Sequence, residues 1–346
     1  MTRFTSLFFF FINLFRNFAK KSKNALGSVR MSDKFDVNIL GCGAAIPNKR
    51  HITTCQIVEI GRERFMVDCG EGAQIQIWKY GFKNSNLNHI FISHAHVDHF
   101  FGLLPFVSSL ELINNRKAPL HIWLPDNLKE PIDYDFRTYC QLSFPLILHG
   151  IDTTKISTLY ESALIKVESI PLNHRIPCCG FLFSEKKKPR VLLPQKCMKF
   201  GIPQIEFGRI KKGADWTMPD GTVIPNSELT AESTAIPRRY AYCSDTAYNP
   251  AMIPQIKGVQ LLYHEATYMK AQQKQAEQYG HSTAAQAAAI ARDANVKQLL
   301  IGHYSSRYES EQLFLEEAKA VFPNTIAANE GMTVTIMKNE ANKYIT

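Results

Sequence analysis

Within six residues the chain places three imidazoles and a carboxylate, in the string Ser93-His94-Ala95-His96-Val97-Asp98-His99. An apolar stretch at 90–92 precedes it and a helical stretch follows. On extended backbone His94 and His96, two apart, point to the same side, and Asp98 and His99 sit at the turn into the helix. Imidazole nitrogens and carboxylate oxygens are ligands for a divalent cation such as zinc. Four of them so close together exceed what one tetrahedral catalytic zinc takes from a protein, so the spacing suits two neighbouring ions and the chemistry of a metal-assisted hydrolase. Three further donors have matching contexts: His174 follows an apolar stretch at 164–170, Asp245 follows one at 241–243, and His303 follows one at 299–302. Taken singly, each is an ordinary turn residue. Their shared place at strand ends, where active-site loops lie, joins them to the cluster.

The elements that must position these residues read as an α/β (α+β) chain. Strands are predicted at 35–40, 56–60, 64–67 and 90–92, with helices at 72–80 and 102–113. In the second half strands are predicted at 241–243, 259–263, 298–301 and 333–337, interleaved with helices at 283–294 and 309–321. The pairs Thr283/Gln286 and Ser306/Glu309 have the spacing of helix-entry capping boxes. Two βα-rich halves predict two sheets with helices outside. Between them residues 184–238 differ: a charge run from Glu185 to Arg190 is followed by Gly201, Pro203, Gly208, Gly213, Pro219, Gly221 and Pro225. Read on composition alone, this stretch is a solvated loop.

Composition narrows the class. The chain has 346 residues, 45% hydrophobic and 21% charged, enough for a large core and unlike a disordered or collagenous sequence. No apolar run reaches the ~18 residues that span a bilayer, so no stable membrane insertion is expected. Eight scattered cysteines without a C-x-x-C pair give no disulfide framework and fit a reducing cytoplasm. Residues 1–30 hold six Lys or Arg and no acid, so they carry +6 of the net +9. The globular part is only mildly basic, and a nucleic-acid footprint has to be sought as a local cluster. The extension, with a Phe-rich stretch from Leu7 to Phe15, is a poor signal peptide. It reads either as an interfacial amphipathic segment or as a misassigned start ahead of Met31, and the second reading is preferred. The globular domain is set at 31–346.

The strand, His-rich string and helix together resemble the metallo-β-lactamase fold. Further segments resemble one branch of it, the ribonuclease Z family of tRNA 3′-processing endonucleases. They are Gly41-Cys42-Gly43-Ala44-Ala45-Ile46-Pro47, Asp68-Cys69-Gly70-Glu71-Gly72, Asn173-His174-Arg175-Ile176-Pro177, His264-Glu265-Ala266-Thr267-Tyr268, Gly280-His281-Ser282-Thr283 and Gly302-His303-Tyr304-Ser305-Ser306-Arg307-Tyr308. The likeness runs from about Phe35 to the C-terminus. Val97 departs from it, standing where many relatives have Gly, at a side chain that need not coordinate.

The resemblance implies an αββα sandwich and two Zn²⁺ per chain. His94, His96 and His174 would hold one ion, Asp98, His99 and His303 the other, and Asp245 would bridge them. Two Zn²⁺ less two carboxylates leave about +2, which favours a phosphodiester anion and lowers the pKa of a bridging water from ~15.7 toward ~7. Asp98 would also act catalytically, orienting that water or accepting its proton, and His281 would give a proton to the leaving oxygen. Asp68 and Glu71 would support the metal loops through hydrogen bonds, while Cys178 and Cys179 would be buried structural residues. The implied reaction is zinc-dependent removal of the 3′ trailer from precursor tRNA, leaving a 3′-hydroxyl on the tRNA and a 5′-phosphate on the trailer. The implied active unit is a homodimer. Residues of about 185–236 would form a projecting basic arm that clasps the tRNA, since Phe200-Gly201-Ile202-Pro203 and Phe207-Gly208-Arg209-Ile210-Lys211-Lys212-Gly213 resemble its tip. The same ligands would also serve a hydrolase of a small phosphodiester or ester, and a non-catalytic RNA-binding relative is the other alternative.

Overall fold

In a computed structural model of the chain, residues 33–84, 86–114, 116–338 and 343–345 are described. The reading of residues 1–30 lies outside them. In chain order the strands are β1 (Phe35–Gly41), β2 (Cys55–Ile60), β3 (Glu63–Cys69), β4 (Leu87–Phe91), β5 (Leu120–Pro125), β6 (Leu146–Ile151), β7 (Thr158–Glu161), β8 (Ile165–Pro171), β9 (Cys179–Glu185), β10 (Val191–Leu192), β11 (Trp216–Thr217), β12 (Val223–Ile224), β13 (Thr230–Ala231), β14 (Arg239–Cys243), β15 (Leu261–Glu265), β16 (Leu299–Gly302), β17 (Thr325–Ala327), β18 (Thr333–Thr335) and β19 (Lys343–Ile345). They make an eight-stranded sheet in the order β19-β18-β1-β2-β3-β4-β5-β6 and a seven-stranded sheet in the order β17-β16-β15-β14-β9-β8-β7.

The central strands of the first sheet carry apolar residues on both faces because both faces are covered. In β3, Phe65 and Val67 enter the core between the sheets, while Met66 enters the core under the helices Ala73–Lys79, Leu103–Asn114 and Asp126–Tyr139. In β4, Phe91 faces inward and Ile90 faces the helices. The second sheet is covered by Ala284–Asp293 and Glu311–Lys319, whose Ala287, Ala288, Ala291 and Phe314 join the inner cluster. The expected αββα layering is therefore observed.

Three details differ from the sequence reading. The strand predicted at 333–337 is β18, and it lies in the first sheet, antiparallel to β1 with Asp36 opposite Thr335. The Thr283/Gln286 capping box is present, but the last helix starts later than predicted and is capped by Ser310, whose side chain accepts from the Gln312 N–H. The third concerns residues 186–238, which are not a bare loop. β10 pairs with β13 and β11 with β12. Cys197, Ile202, Ile210, Ile224 and Leu229 form a hydrophobic cluster separate from the two main cores. At its root β9 and β14 run antiparallel, and the buried Arg238 clasps Glu185 (Nη2 to Oε1 2.6 Å, Nε to Oε2 2.9 Å) while donating from Nη1 to the Ile336 carbonyl at 2.7 Å.

Candidate metal centre

All seven metal-ligand positions named from the sequence meet at one edge of the sandwich. His94 and His96 follow β4 on extended backbone, Asp98 and His99 lie in the short helix Val97–Phe100, His174 follows β8, Asp245 follows β14 and His303 follows β16. Ligand atoms of His94, His96, His174 and Asp245 lie within 4.8 Å of one another, as do those of Asp98, His99 and His303. Asp245 stands between the groups: Oδ2 is 3.5 Å from His94 Nε2, and Oδ1 is 3.5 Å from His99 Nε2 and 3.3 Å from His303 Nε2.

A surrounding set of hydrogen bonds fixes which nitrogen of each ring faces the centre. Ser93 Oγ–H donates to Asp68 Oδ2, so it accepts from His94 Nδ1–H at 2.9 Å. His99 Nδ1–H donates to Asp68 Oδ2 at 2.7 Å, and His174 Nδ1–H donates to the Gly280 carbonyl at 2.7 Å. Thr267 Oγ1–H donates to Glu265 Oε2, so it accepts from His303 Nδ1–H at 2.8 Å. Four rings are thus locked with Nδ1 outward and the Nε2 lone pair inward, the arrangement that outer hydrogen bonds impose on metal-binding imidazoles. His96 is reversed, with Nδ1 3.0 Å from His94 Nε2 and 3.3 Å from His174 Nε2. Gly280 has φ +72, and a Cβ there would lie 2.8 Å from His174 Nδ1, so only glycine brings its carbonyl to that ring.

The electrostatics ask for a cation. Asp245 is buried and its Oδ1 has no hydrogen-bond donor, a costly arrangement unless a positive charge is supplied. Without a bound cation, burial disfavours a charged His99, yet Asp245, Asp98 and Asp68 push it up to about 10. Burial and then the neighbouring His99 hold His94 down at about 4. Burial disfavours the Asp98 carboxylate as well, but His99 and His303 outweigh that effect and hold it well below the usual range. Lone pairs converging on two buried carboxylates are a donor set that fits divalent cations.

His281 lines the same cleft, of about 420 Å³, with Ala44, Arg175, Tyr268 and Arg307. Its Nδ1 is held by Glu265 Oε1 at 2.9 Å. Burial opposes its charge, but the Glu265 and Asp245 carboxylates prevail and raise it to about 9. Asp68 performs the supporting task expected of it, accepting from the Ser93 N–H at 2.8 Å and from the Tyr242 hydroxyl at 2.5 Å as well as from His99. Glu71 does not share it: its side chain is exposed, and its backbone carbonyl accepts from Thr53. The residue that sequence reasoning passed over is Glu265, a buried carboxylate accepting from the Thr246, Ser282 and Thr267 N–H groups while holding His281. Its position at the end of β15, in the same strand-end context as the ligands, was the available signal. Cys178 and Cys179 are buried, with Cys178 Sγ donating to the Asp245 carbonyl at 3.4 Å.

Comparisons place this geometry among known proteins. A family profile described as "Anti-Pycsar protein Apyc1" matches residues 35–142. The chain is 48% identical to Ribonuclease Z of Bacteroides thetaiotaomicron over 305 residues, covering 88% of this chain and 96% of that protein. It is likewise 48% identical to Ribonuclease Z of Bacteroides fragilis, covering 88% and 100%. Among solved structures it resembles the short form of human tRNase Z, at 24% identity and TM-score 0.64 over 87% and 99% of the two chains. The metallo-β-lactamase fold protein YhfI from Bacillus subtilis gives 17% identity and TM-score 0.62 over 88% and 99%. Near-complete coverage at this identity, on a sandwich of the same fold, means that the chain belongs to the ribonuclease Z family of metallo-β-lactamase-fold hydrolases.

Proposed function

We propose that the chain is a zinc-dependent endoribonuclease that removes the 3′ trailer from precursor tRNA in the cytoplasm, with two Zn²⁺ per chain. The observation that carries the metal reading is the pair of ligand groups with Asp245 between them, in a chain nearly half identical to proteins named Ribonuclease Z. His94, His96 and His174 would hold one ion and Asp98, His99 and His303 the other. When bound, the cations would supply positive charge for the phosphoryl group and make water acidic enough to attack near neutral pH. Asp98 would orient that water, whose oxygen bonds to phosphorus. The P–O3′ bond breaks, the phosphate stays on the trailer, and the tRNA O3′ takes a proton. With Nδ1 engaged by Glu265, His281 presents Nε2–H for that transfer. Arg175 stacked on Tyr279 and Arg307 on Tyr268 (5.2 and 4.9 Å to the ring centroids) offer cations to the flanking phosphates.

We assign residues of about 185–236 to substrate binding. Lys187, Lys196, Lys199, Arg209, Lys211 and Lys212 are exposed there. A homodimer is the proposed active unit. Its support is apolar exposure on the helical side of the first sheet: Ile75 and Trp78, three apart on one helix, are 67% and 57% exposed, and Phe101 is 60% exposed.

Incubating the full chain with one end-labelled precursor tRNA tests this reading. Two fragments are expected, a trailer carrying a 5′-phosphate and a tRNA ending in 3′-hydroxyl. Chelator should abolish them and Zn²⁺ restore them, and light scattering should give twice the 39.3 kDa chain mass. Cleavage that survives exhaustive metal removal would exclude the metal reading. For His281→Ala, turnover about a hundredfold slower with unchanged metal content is expected of a proton donor. Loss of an ion from that variant would make His281 a ligand instead.

A further inference from the structure

Behind the cleft lies a second titratable cluster that the reaction does not use. His51 is buried, and both of its nitrogens face carboxylates: Nε2 is 2.6 Å from Glu311 Oε1 and Nδ1 is 3.0 Å from Glu330 Oε2. Carboxylates only accept, so two such bonds require N–H on both nitrogens, that is, an imidazolium. Burial disfavours the charge, but Glu330 and Glu311 outweigh it and raise the ring's pKa. The other groups around it are Cys42, with Sγ 3.4 Å from Nδ1, Arg50, whose Nη1 donates to Glu311 at 2.7 Å, and the Tyr304 ring at 5.4 Å. Glu330 Oε1 also accepts from the Ile52 N–H at 3.0 Å and the Cys42 N–H at 3.3 Å. Three distant pieces of chain are joined there: the turn after β1, the last helix and the turn before β18.

Two residues in the left-handed region hang on that junction. Ala45 has φ +66 and His303 φ +63, conformations that non-glycine residues hold only when their surroundings impose them. The Ala45 N–H donates to Asp98 Oδ2 at 2.7 Å, and His303 Nε2 is 3.4 Å from the same oxygen. Their two turns are stitched together, Ala44 N–H to the Tyr304 carbonyl at 3.0 Å and Tyr304 N–H to the Cys42 carbonyl at 3.0 Å. His51 closes the back of the same turn, since Gly43 N–H donates to the Ile52 carbonyl and Asn48 N–H to the His51 carbonyl.

We propose that His51 is a positioning residue for hydrolysis: clamped between Glu311 and Glu330, it holds the turns carrying Ala45 and His303 in the register that aims both at Asp98. The proposal rests on the reading of Asp98 as part of the hydrolytic centre. Cys42, His51 and Glu330 could also be read as a third metal site, but a ring donating from both nitrogens has no lone pair left for a metal. A histidine whose folded pKa is raised makes its contribution below that pKa and loses it as pH rises through it. The clamp therefore holds below that raised pKa and opens as pH rises through it.

The test uses the full, metal-loaded chain with His51→Gln and Glu311→Gln, the latter altering a carboxylate at the cluster's more exposed side. Turnover and KM are read from pH 6 to 10 on a precursor tRNA and on bis(p-nitrophenyl) phosphate, alongside metal content, thermal midpoint and the ¹⁵N shifts of the His51 ring. His51→Gln should lose about tenfold or more in kcat on both substrates at pH 7, with KM for tRNA within about threefold and the metal content of the parent. In Glu311→Gln the alkaline fall in kcat should begin at lower pH than in the parent, and the His51 shifts should move with it. Parental kcat in His51→Gln with only a lowered thermal midpoint would overturn the proposal, as would an unmoved alkaline limb in Glu311→Gln. Loss of one metal equivalent from His51→Gln would convert the cluster into a metal site. If the parent hydrolyses neither substrate, the hydrolytic reading fails on its own, and a His51 ring found neutral at pH 7 by ¹⁵N shift would overturn the clamp independently.

Discussion

Asp245→Ala is expected to lower precursor-tRNA cleavage and small-diester hydrolysis alike, each by at least about a thousandfold. The carboxylate stands between the two proposed ligand groups, with one oxygen toward His94 and the other toward His99 and His303. Removing it also takes the carboxylate out of the group of His94, His96 and His174. Bound metal should fall from two ions to at most one, while the far-ultraviolet circular dichroism of the parent is kept, because Asp245 lies past the end of β14 and not within its ladder. His94→Ala should follow the same pattern. An inactive Asp245→Ala that still binds two ions would remove the bridging role.

Replacing residues 189–234 with a short Gly/Ser linker is expected to separate the two activities. That cut removes both β10 and β13 and the small hydrophobic cluster as one unit, and it leaves Glu185 and Arg238 clasped at the root. A cut inside the unit would strand half of a pair and expose Leu229. Hydrolysis of bis(p-nitrophenyl) phosphate and metal content should stay within about twofold of the parent. Precursor-tRNA cleavage should fall about a hundredfold or more in kcat/KM, through KM, because the exposed lysines and arginines there release counterions only from a polyanion. Raising salt should likewise weaken tRNA cleavage by the parent far more than small-ester hydrolysis. Parental tRNA processing by the shortened chain would end the arm assignment and favour a small substrate.

The proposed ligands stand out in the sequence by context: His94 and His96 alternate on extended backbone, Asp98 and His99 follow in the same string, and His174, Asp245 and His303 come shortly after apolar strands, while the resemblance is what assigns them to two ions. Glu265 also lies at a strand end, one residue past His264, which is buried with Nδ1 donating to the Glu265 carbonyl. What local pattern cannot show is the partner of a residue hundreds of positions away. His51, Glu311 and Glu330 read as ordinary polar residues until the fold joins them. The helix Asp126–Tyr139 was missed because Pro131, which cannot donate a backbone hydrogen bond, lies inside it. On composition alone the arm read as a loop because its charge run and closely spaced Gly and Pro mask its apolar residues, which form a core only after the short strands pair.

The place of β18 beside β1 sets an order on how this molecule can be made. During synthesis β1, β2 and β3 emerge early and can pair as a local meander, but the outer edge of β1 waits for Val334, nearly three hundred residues later. For most of translation that edge offers unpaired N–H and C=O groups to any other strand nearby, and closing such a distant contact is intrinsically slow. The last of the proposed ligands, His303, also leaves the ribosome late. The nascent chain therefore carries His94, His96, Asp98 and His99 through most of its synthesis without His303, and a centre built from all of these residues could assemble only near the end of biosynthesis.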